Sequence, residues 1–164
     1  MAIATDTDLT TLTLLLARVG RLSESLALEV CAARDSTPAE FRVLALLRHR
    51  PDGAGSPSDI ARWVVQTSGG LTATLRRLES DGHIERRPDP DDGRGRLVAL
   101  TEQGSAFHDE LLAELVERHR VAVADIGLDG ALDAVRGLVT GLERANGLPT
   151  SAGFVAGHVT SPPA

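Results

Sequence analysis

The chain has 164 residues, 42% hydrophobic and 24% charged, which suits one domain with an added helical segment. Its core must be aliphatic, because three Phe and one Trp are accompanied by no Tyr, and its single cysteine, Cys31, excludes an internal disulfide or a thiolate metal cluster. A net charge of −6 speaks against nucleic acid at first, but residues 37–101 hold ten Arg against nine carboxylates, while the remainder holds seven against fourteen.

The first residues, MAIATDTD, lack the positive start of a secretory signal. The Leu-rich stretch that follows is interrupted by Arg18 and Arg21, so it reads neither as a signal core nor as a membrane span. A cytoplasmic protein without membrane attachment is expected.

Leu9, Leu12, Leu16, Val19, Leu22, Leu26 and Val30 recur in steps of three and four, predicting an amphipathic helix from about Asp8 to Ala33. Thr37-Pro38-Ala39-Glu40 predicts the next helix start, with Thr37 as N-cap, Pro38 in the first turn and Glu40 closing a capping box. Phe41, Leu44 and Leu47 give it a buried stripe that ends before Pro51-Asp52-Gly53. Ser56-Pro57-Ser58-Asp59 opens a short helix with Ile60, Ala61 and Val64 inward, and Ser56 and Ser58 are candidate phosphate contacts at its start. After Val65, Gln66 and Thr67 another helix begins, capped by Thr67 or Ser68, with Leu71, Leu75 and Leu78 on one face and Gly82 as a left-handed terminator. Two helices joined by so short a turn form a helix-turn-helix pattern.

Beyond Gly82 the period changes. Residues 84–87 and 96–100 read as strands flanking the polar loop 88–95, a wing. Thr101-Glu102-Gln103 restarts helix, lined by Phe107, Leu111, Leu115 and Val121 as far as about Asp125. Leu128, Leu132, Val135, Leu138 and Leu142 define a last helix ending near Asn146-Gly147, and the Gly-, Ser- and Pro-containing remainder predicts a frayed tail. The expected fold class is mainly α with a small β-wing. Its parts are an N-terminal dimerisation helix (8–34), a winged helix-turn-helix (37–101), C-terminal dimerisation helices (102–146) and the tail (147–164).

With the three leucines inward, the 100° step turns Gly69, Thr72, Ala73, Arg76 and Arg77 outward. Small side chains let a helix sit deep in a major groove, and Arg grips phosphate or reads guanine. The two glycines Gly69 and Gly70 each cost roughly 1 kcal/mol of helix propensity relative to Ala, which makes sense where backbone must approach another surface. Arg86 and Arg87 enter the wing and Arg94 and Arg96 leave it; such a hairpin tip reaches a minor groove or clamps a phosphate. Among the wing acids, Asp92 is the best placed to orient the Arg94 fork by a charge-assisted hydrogen bond.

The runs Asp89-Pro90-Asp91-Asp92-Gly93-Arg94 and Leu97-Val98-Ala99-Leu100-Thr101-Glu102-Gln103-Gly104 resemble the signature of the MarR family of bacterial transcription regulators. So does Thr67-Ser68-Gly69-Gly70-Leu71-Thr72, which leads to Arg77-Leu78-Glu79-Ser80-Asp81-Gly82 and is similar to the branch whose recognition helix starts Thr-Ser-Gly-Gly. The resemblance implies a homodimer whose first and last helices interlock, each subunit reading half of a pseudo-palindromic duplex. It also implies that Ser68, Thr72 and Arg76 face the major groove, and that Arg94 is a wing-tip arginine held by Asp92. A repressor released by a small-molecule or other signal is the usual role. Gly93 departs from the pattern, standing where many members carry a second Arg.

The terminal stripes, represented by Leu9, Leu12, Leu16, Val19, Leu132, Val135, Leu138 and Leu142, are too apolar to face water. They must pack within a subunit or between two, and a symmetric site favours the dimer. Cys31 has no resolving partner and reads as structural. The five His show no metal spacing, no cofactor is expected, and no nucleophile elbow or phosphate loop suggests an enzyme. The competing reading is a dimeric protein-interaction module that keeps the winged-helix shape without binding DNA.

Overall fold

The computed structural model describes residues 5–64, 68–90, 92 and 95–148; of Ser68 only the backbone is described. Thr5 caps the first helix, α1 (Asp6–Ala32), through a capping box with Asp8. The predicted box at Thr37 and Glu40 is present at α2 (Pro38–Arg48), where Thr37 Oγ1 accepts the Glu40 N–H and Glu40 Oε2 accepts the Thr37 N–H. Two short helices follow, α3 (Pro57–Val64) and α4 (Ser68–Ser80), then the strands β2 (Ile84–Pro88) and β3 (Arg96–Leu100). Two helices complete the chain, α5 (Glu102–Ala122) and α6 (Leu128–Ala145).

A third strand, β1 (Ala54–Gly55), makes the hairpin a three-stranded antiparallel sheet in the order β1-β3-β2. Ala54 pairs with Ala99, and Ile84 pairs with Leu100. Two residues carry no readable period, so sequence pattern does not reveal such a strand. It forms because Gly53 adopts φ +62 and its carbonyl accepts the Leu100 N–H at 2.8 Å.

The core has two parts. Val43, Leu44 and Leu47 of α2, Ile60 and Val64 of α3, Leu71, Leu75 and Leu78 of α4, and Ile84 and Val98 of the sheet form the larger. Val30 and Cys31 from the end of α1 and Leu111 and Leu115 of α5 form the smaller, and Phe107 packs against both. At Gly82 the chain turns with φ +76, and the His83 N–H returns to the Leu78 carbonyl at 2.9 Å, the expected left-handed termination of α4.

The terminal helices are only partly used. Along α1 the buried residues are Val30 and Cys31, and α6 buries none. Leu9, Val19, Val135 and Leu142 are each more than half exposed. Leu12, Leu16 and Leu132 are exposed to a lesser degree, and Leu138 is half-buried. Packing within one subunit therefore leaves both stripes in water. Val121, expected on the inner side of α5, is exposed as well, because the helix outruns the core it covers. Among the described residues no helix is long and apolar enough to cross a membrane.

Candidate nucleic-acid interface

Helix α4 is fixed by Leu71, Leu75 and Leu78, at most 3% exposed. The opposite face carries Gly69, Thr72, Ala73, Arg76 and Arg77, all exposed as the periodicity requires. A Cβ at Gly69 would meet nothing within 4 Å. Arg76 makes no ion pair with a described residue. Arg77, its neighbour, is held by Asp35, Glu40 and Asp81.

The start of α3 shows why serine stands there. Ser56 Oγ accepts the Asp59 N–H at 3.1 Å and lies 2.9 Å from Ser58 Oγ. The Ser56 hydroxyl thus serves as a helix cap, whereas Ser58 is exposed on the outer surface.

On the wing, Arg86 pairs with Glu79 of α4 at 3.5 Å, and Arg87 pairs with Glu85 on its own strand at 2.6 Å. These exposed pairs contribute little stability, so both guanidinium groups can exchange a carboxylate for a phosphate. Arg96 is exposed at the start of β3 and has no ion-pair partner among the described residues. The hairpin closes where the Asp89 N–H donates to the Gly95 carbonyl at 3.2 Å and the Gly95 N–H to the Asp92 carbonyl at 2.8 Å. A Cβ at Gly95 would stand 3.1 Å from the Cβ atoms of Asp89 and Asp92. A side chain at this position would be tight against both aspartates, which favours glycine there. Asp92 is exposed. Thr67, Asp91, Gly93 and Arg94 lie outside the described residues, and with them the Asp92–Arg94 contact.

The junction between wing and α5 explains the Thr101–Gly104 run. Thr101 Oγ1 accepts the Gly104 N–H at 3.0 Å, capping α5, and lies 2.8 Å from the Gly82 carbonyl and 3.0 Å from that of His83. Gln103 Nε2 donates to the Asp81 carbonyl at 3.1 Å. The end of α4 is thereby bound to the start of α5. His83 stacks on Phe107 with ring centroids 4.3 Å apart, and Trp63 packs against the core.

Further groups carry chemistry that periodicity does not reveal. His108 is fully buried, stacked on Phe41, and bonded through Nδ1 to Asp109, which in turn faces Arg48. Burial pushes its pKa below the ordinary histidine value, outweighing Asp109. Burial also raises the Cys31 thiol, reinforced by the nearby carboxylates Glu40 and Glu24. A buried thiol of raised pKa is a poor nucleophile. Between α3, α4 and β2 lies a cleft of about 380 Å³, with Ala61, Leu71, Leu75, Thr72 and Arg86 among its lining.

A helix-turn-helix with an exposed second helix and an adjacent β-wing defines a winged helix protein. A MarR family model matches residues 35–95. The multiple antibiotic resistance protein MarR of Salmonella typhimurium (strain LT2) is 40% identical over 73 residues, covering 44% of this chain and 49% of that protein. The HTH-type transcriptional regulator PecS of Dickeya dadantii (strain 3937) is 34% identical over 106 residues, 64% of each chain. The chain thus spans about half to two thirds of the length of these curated relatives. The crystal structure of apo MarR from E. coli superimposes with a TM-score of 0.66 at 27% identity, covering 84% of this chain and 96% of the other. The fold of CouR from Rhodococcus jostii RHA1, solved with p-coumaroyl-CoA, superimposes with a TM-score of 0.71 at 21% identity over 80% and 90%. Together these matches show a chain similar to MarR-family proteins in its winged-helix segment and in its fold. PecS is named as a transcriptional regulator, and neither relative is named as an enzyme.

Proposed function

We propose that this chain is a cytoplasmic, sequence-specific DNA-binding transcription regulator, a repressor that binds a pseudo-palindromic operator as a homodimer and is released by a small-molecule signal. The observation that carries this reading is the outer face of α4, where Gly69, Thr72 and Ala73 give way to Arg76, all exposed beside the wing. In the duplex complex, Ser68, Gly69, Thr72, Ala73 and Arg76 face the major groove. Arg86, Arg87, Arg94 and Arg96 bind backbone or minor groove from the wing, with Asp92 orienting Arg94, and Ser58 stands near phosphate at the start of α3.

The apolar stripes of α1 and α6, exposed in a single chain, support assembly through residues 8–34 and 102–146, which leaves 37–101 as the reading head. Symmetry then presents two copies of α4 about one turn of DNA apart, roughly 34 Å. CouR's bound p-coumaroyl-CoA supports release by a small molecule, which needs only to favour a different spacing of the two helices.

Selection from random duplexes followed by mobility-shift titration tests the proposal. The expected result is an inverted repeat with half-site centres about 10 bp apart and an affinity that falls steeply between about 50 and 200 mM salt. A protein that retains no duplex would instead be an interaction module.

A further inference from the structure

Arg77 lies on the exposed side of α4, yet its guanidinium is spent inside the protein. Nη2 donates to the Asp35 carbonyl and lies 3.2 Å from Asp35 Oδ1, while Nε lies 3.2 Å from Glu40 Oε1 and 3.8 Å from Asp81 Oδ2. Glu40 is 4% exposed. Its Oε2 is already occupied by the Thr37 N–H at 2.8 Å and the Ser36 hydroxyl at 2.9 Å, so Arg77 supplies the charge that its other oxygen requires. Asp35 offers its carbonyl because the turn between α1 and α2 removes it from the helix ladder. Its φ is +50, and the Ser36 N–H passes over it to the Cys31 carbonyl at 2.9 Å.

These contacts argue against a direct meeting of Arg77 with DNA. Three carboxylates around one guanidinium leave the spot negative overall, a poor landing place for phosphate. Arg76, 100° away around the helix, forms no ion pair with a described residue. We propose that Arg77 is a positioning residue: it tethers the recognition helix α4 to the turn joining α1 and α2, and contacts neither phosphate nor base. This rests on the reading of α4 as the DNA-facing helix. The consequence is mechanical. The turn begins where α1 ends, and α1 carries an unpartnered apolar stripe, so the tether passes the docking angle of the subunit to α4. The task needs a planar fork reaching two acceptors at once, which lysine does not supply.

The test compares full-length Arg77→Gln, Glu40→Gln, the double variant and Arg76→Gln, each titrated against the selected operator from 50 to 200 mM salt. Glu40→Gln keeps an acceptor for the α2 cap and removes the ion pair. The tether predicts that Arg77→Gln and Glu40→Gln each weaken binding roughly tenfold at fixed salt with the wild-type salt slope. The double variant should bind no more weakly than Arg77→Gln alone. Arg76→Gln, by contrast, should lower the slope by about one. A slope lowered by about one in Arg77→Gln, or wild-type affinity in Glu40→Gln, overturns the proposal. Hydrogen exchange supplies a readout that does not need DNA: amides of residues 68–80 should exchange faster in both variants while those of α5 stay protected. Unchanged exchange in α4, or a rise spread evenly over the chain, also overturns it. Should the wild type retain no duplex, the DNA-binding reading fails and the exchange result still decides the tether.

Discussion

Gly104 lies so close to His83 that a Cβ added to it would stand 2.0 Å from the His83 carbonyl oxygen. The contact is backbone on backbone, so no side chain can swing aside to relieve it. It seats the first turn of α5 against the start of β2, where Thr101 reaches the same carbonyl.

Gly104→Ala should therefore destabilise the protein, although alanine is the better helix former by about 1 kcal/mol. Overpacking of this kind costs about 1–3 kcal/mol, and here it must also offset that propensity gain. A fall in melting temperature of several degrees is expected. An unchanged or raised melting temperature would mean that the α5–β2 junction is not tight.

Arg76→Ala should change sequence preference, with about 1–3 kcal/mol of discrimination lost at one base position per half-site if its fork reads guanine. Recovering the same motif with both proteins in a selection experiment would remove Arg76 from base reading.

A single Val135→Glu substitution on α6 should convert the proposed dimer to monomers. Val135 is more than half exposed in one chain, so the folded subunit tolerates the change, whereas a carboxylate buried in a symmetric interface faces its own copy. Sedimentation shows the change, and operator affinity should fall with it. A Val135→Glu dimer of normal affinity would move the interface elsewhere.

Stability should decline on acidification below the ordinary histidine pKa of 6.5, with His108 as the cause. Its folded pKa lies lower because burial disfavours the charged ring, so the unfolded chain binds the proton first and the native state loses ground as pH falls through that window. The titratable and charged groups facing it are Asp109, which opposes the shift, and His49 and Arg48, which add to it. Asp109 and Glu114 also titrate below their ordinary values, so their contributions disappear only at more acidic pH. Melting temperatures from pH 7.5 to 5 for the wild type and His108→Gln test this, the variant being the flatter. Parallel curves would acquit His108.

Cys31 should react slowly with a thiol reagent in the native protein and rapidly once it is unfolded, because its side chain is inaccessible and its thiolate disfavoured. Fast native labelling would restore a redox role for it.

Much of the fold is legible in local pattern. The leucines at 71, 75 and 78, the box at Thr37 and Glu40 and the glycine at 82 each state a rule that acts within one or two helical turns, and each is obeyed. The outward face of α4 follows from the same leucines. What sequence leaves hidden is long-range. The strand at Ala54 and Gly55 exists only through its pairing with Val98 and Ala99, and His108 becomes a buried group only because α2 brings Phe41 over it.

The neighbouring arginines of α4 mark that division most sharply. Sequence determines that Arg76 and Arg77 both leave the core face, since helical geometry needs nothing beyond the three leucines. It does not distinguish them, and both read as candidates for DNA. Only the tertiary structure separates the two, by carrying Asp35 and Glu40 from about forty residues earlier in the chain to within 3.2 Å of Arg77. A charged side chain takes its role from the charges the fold places around it, and those neighbours are not local in sequence.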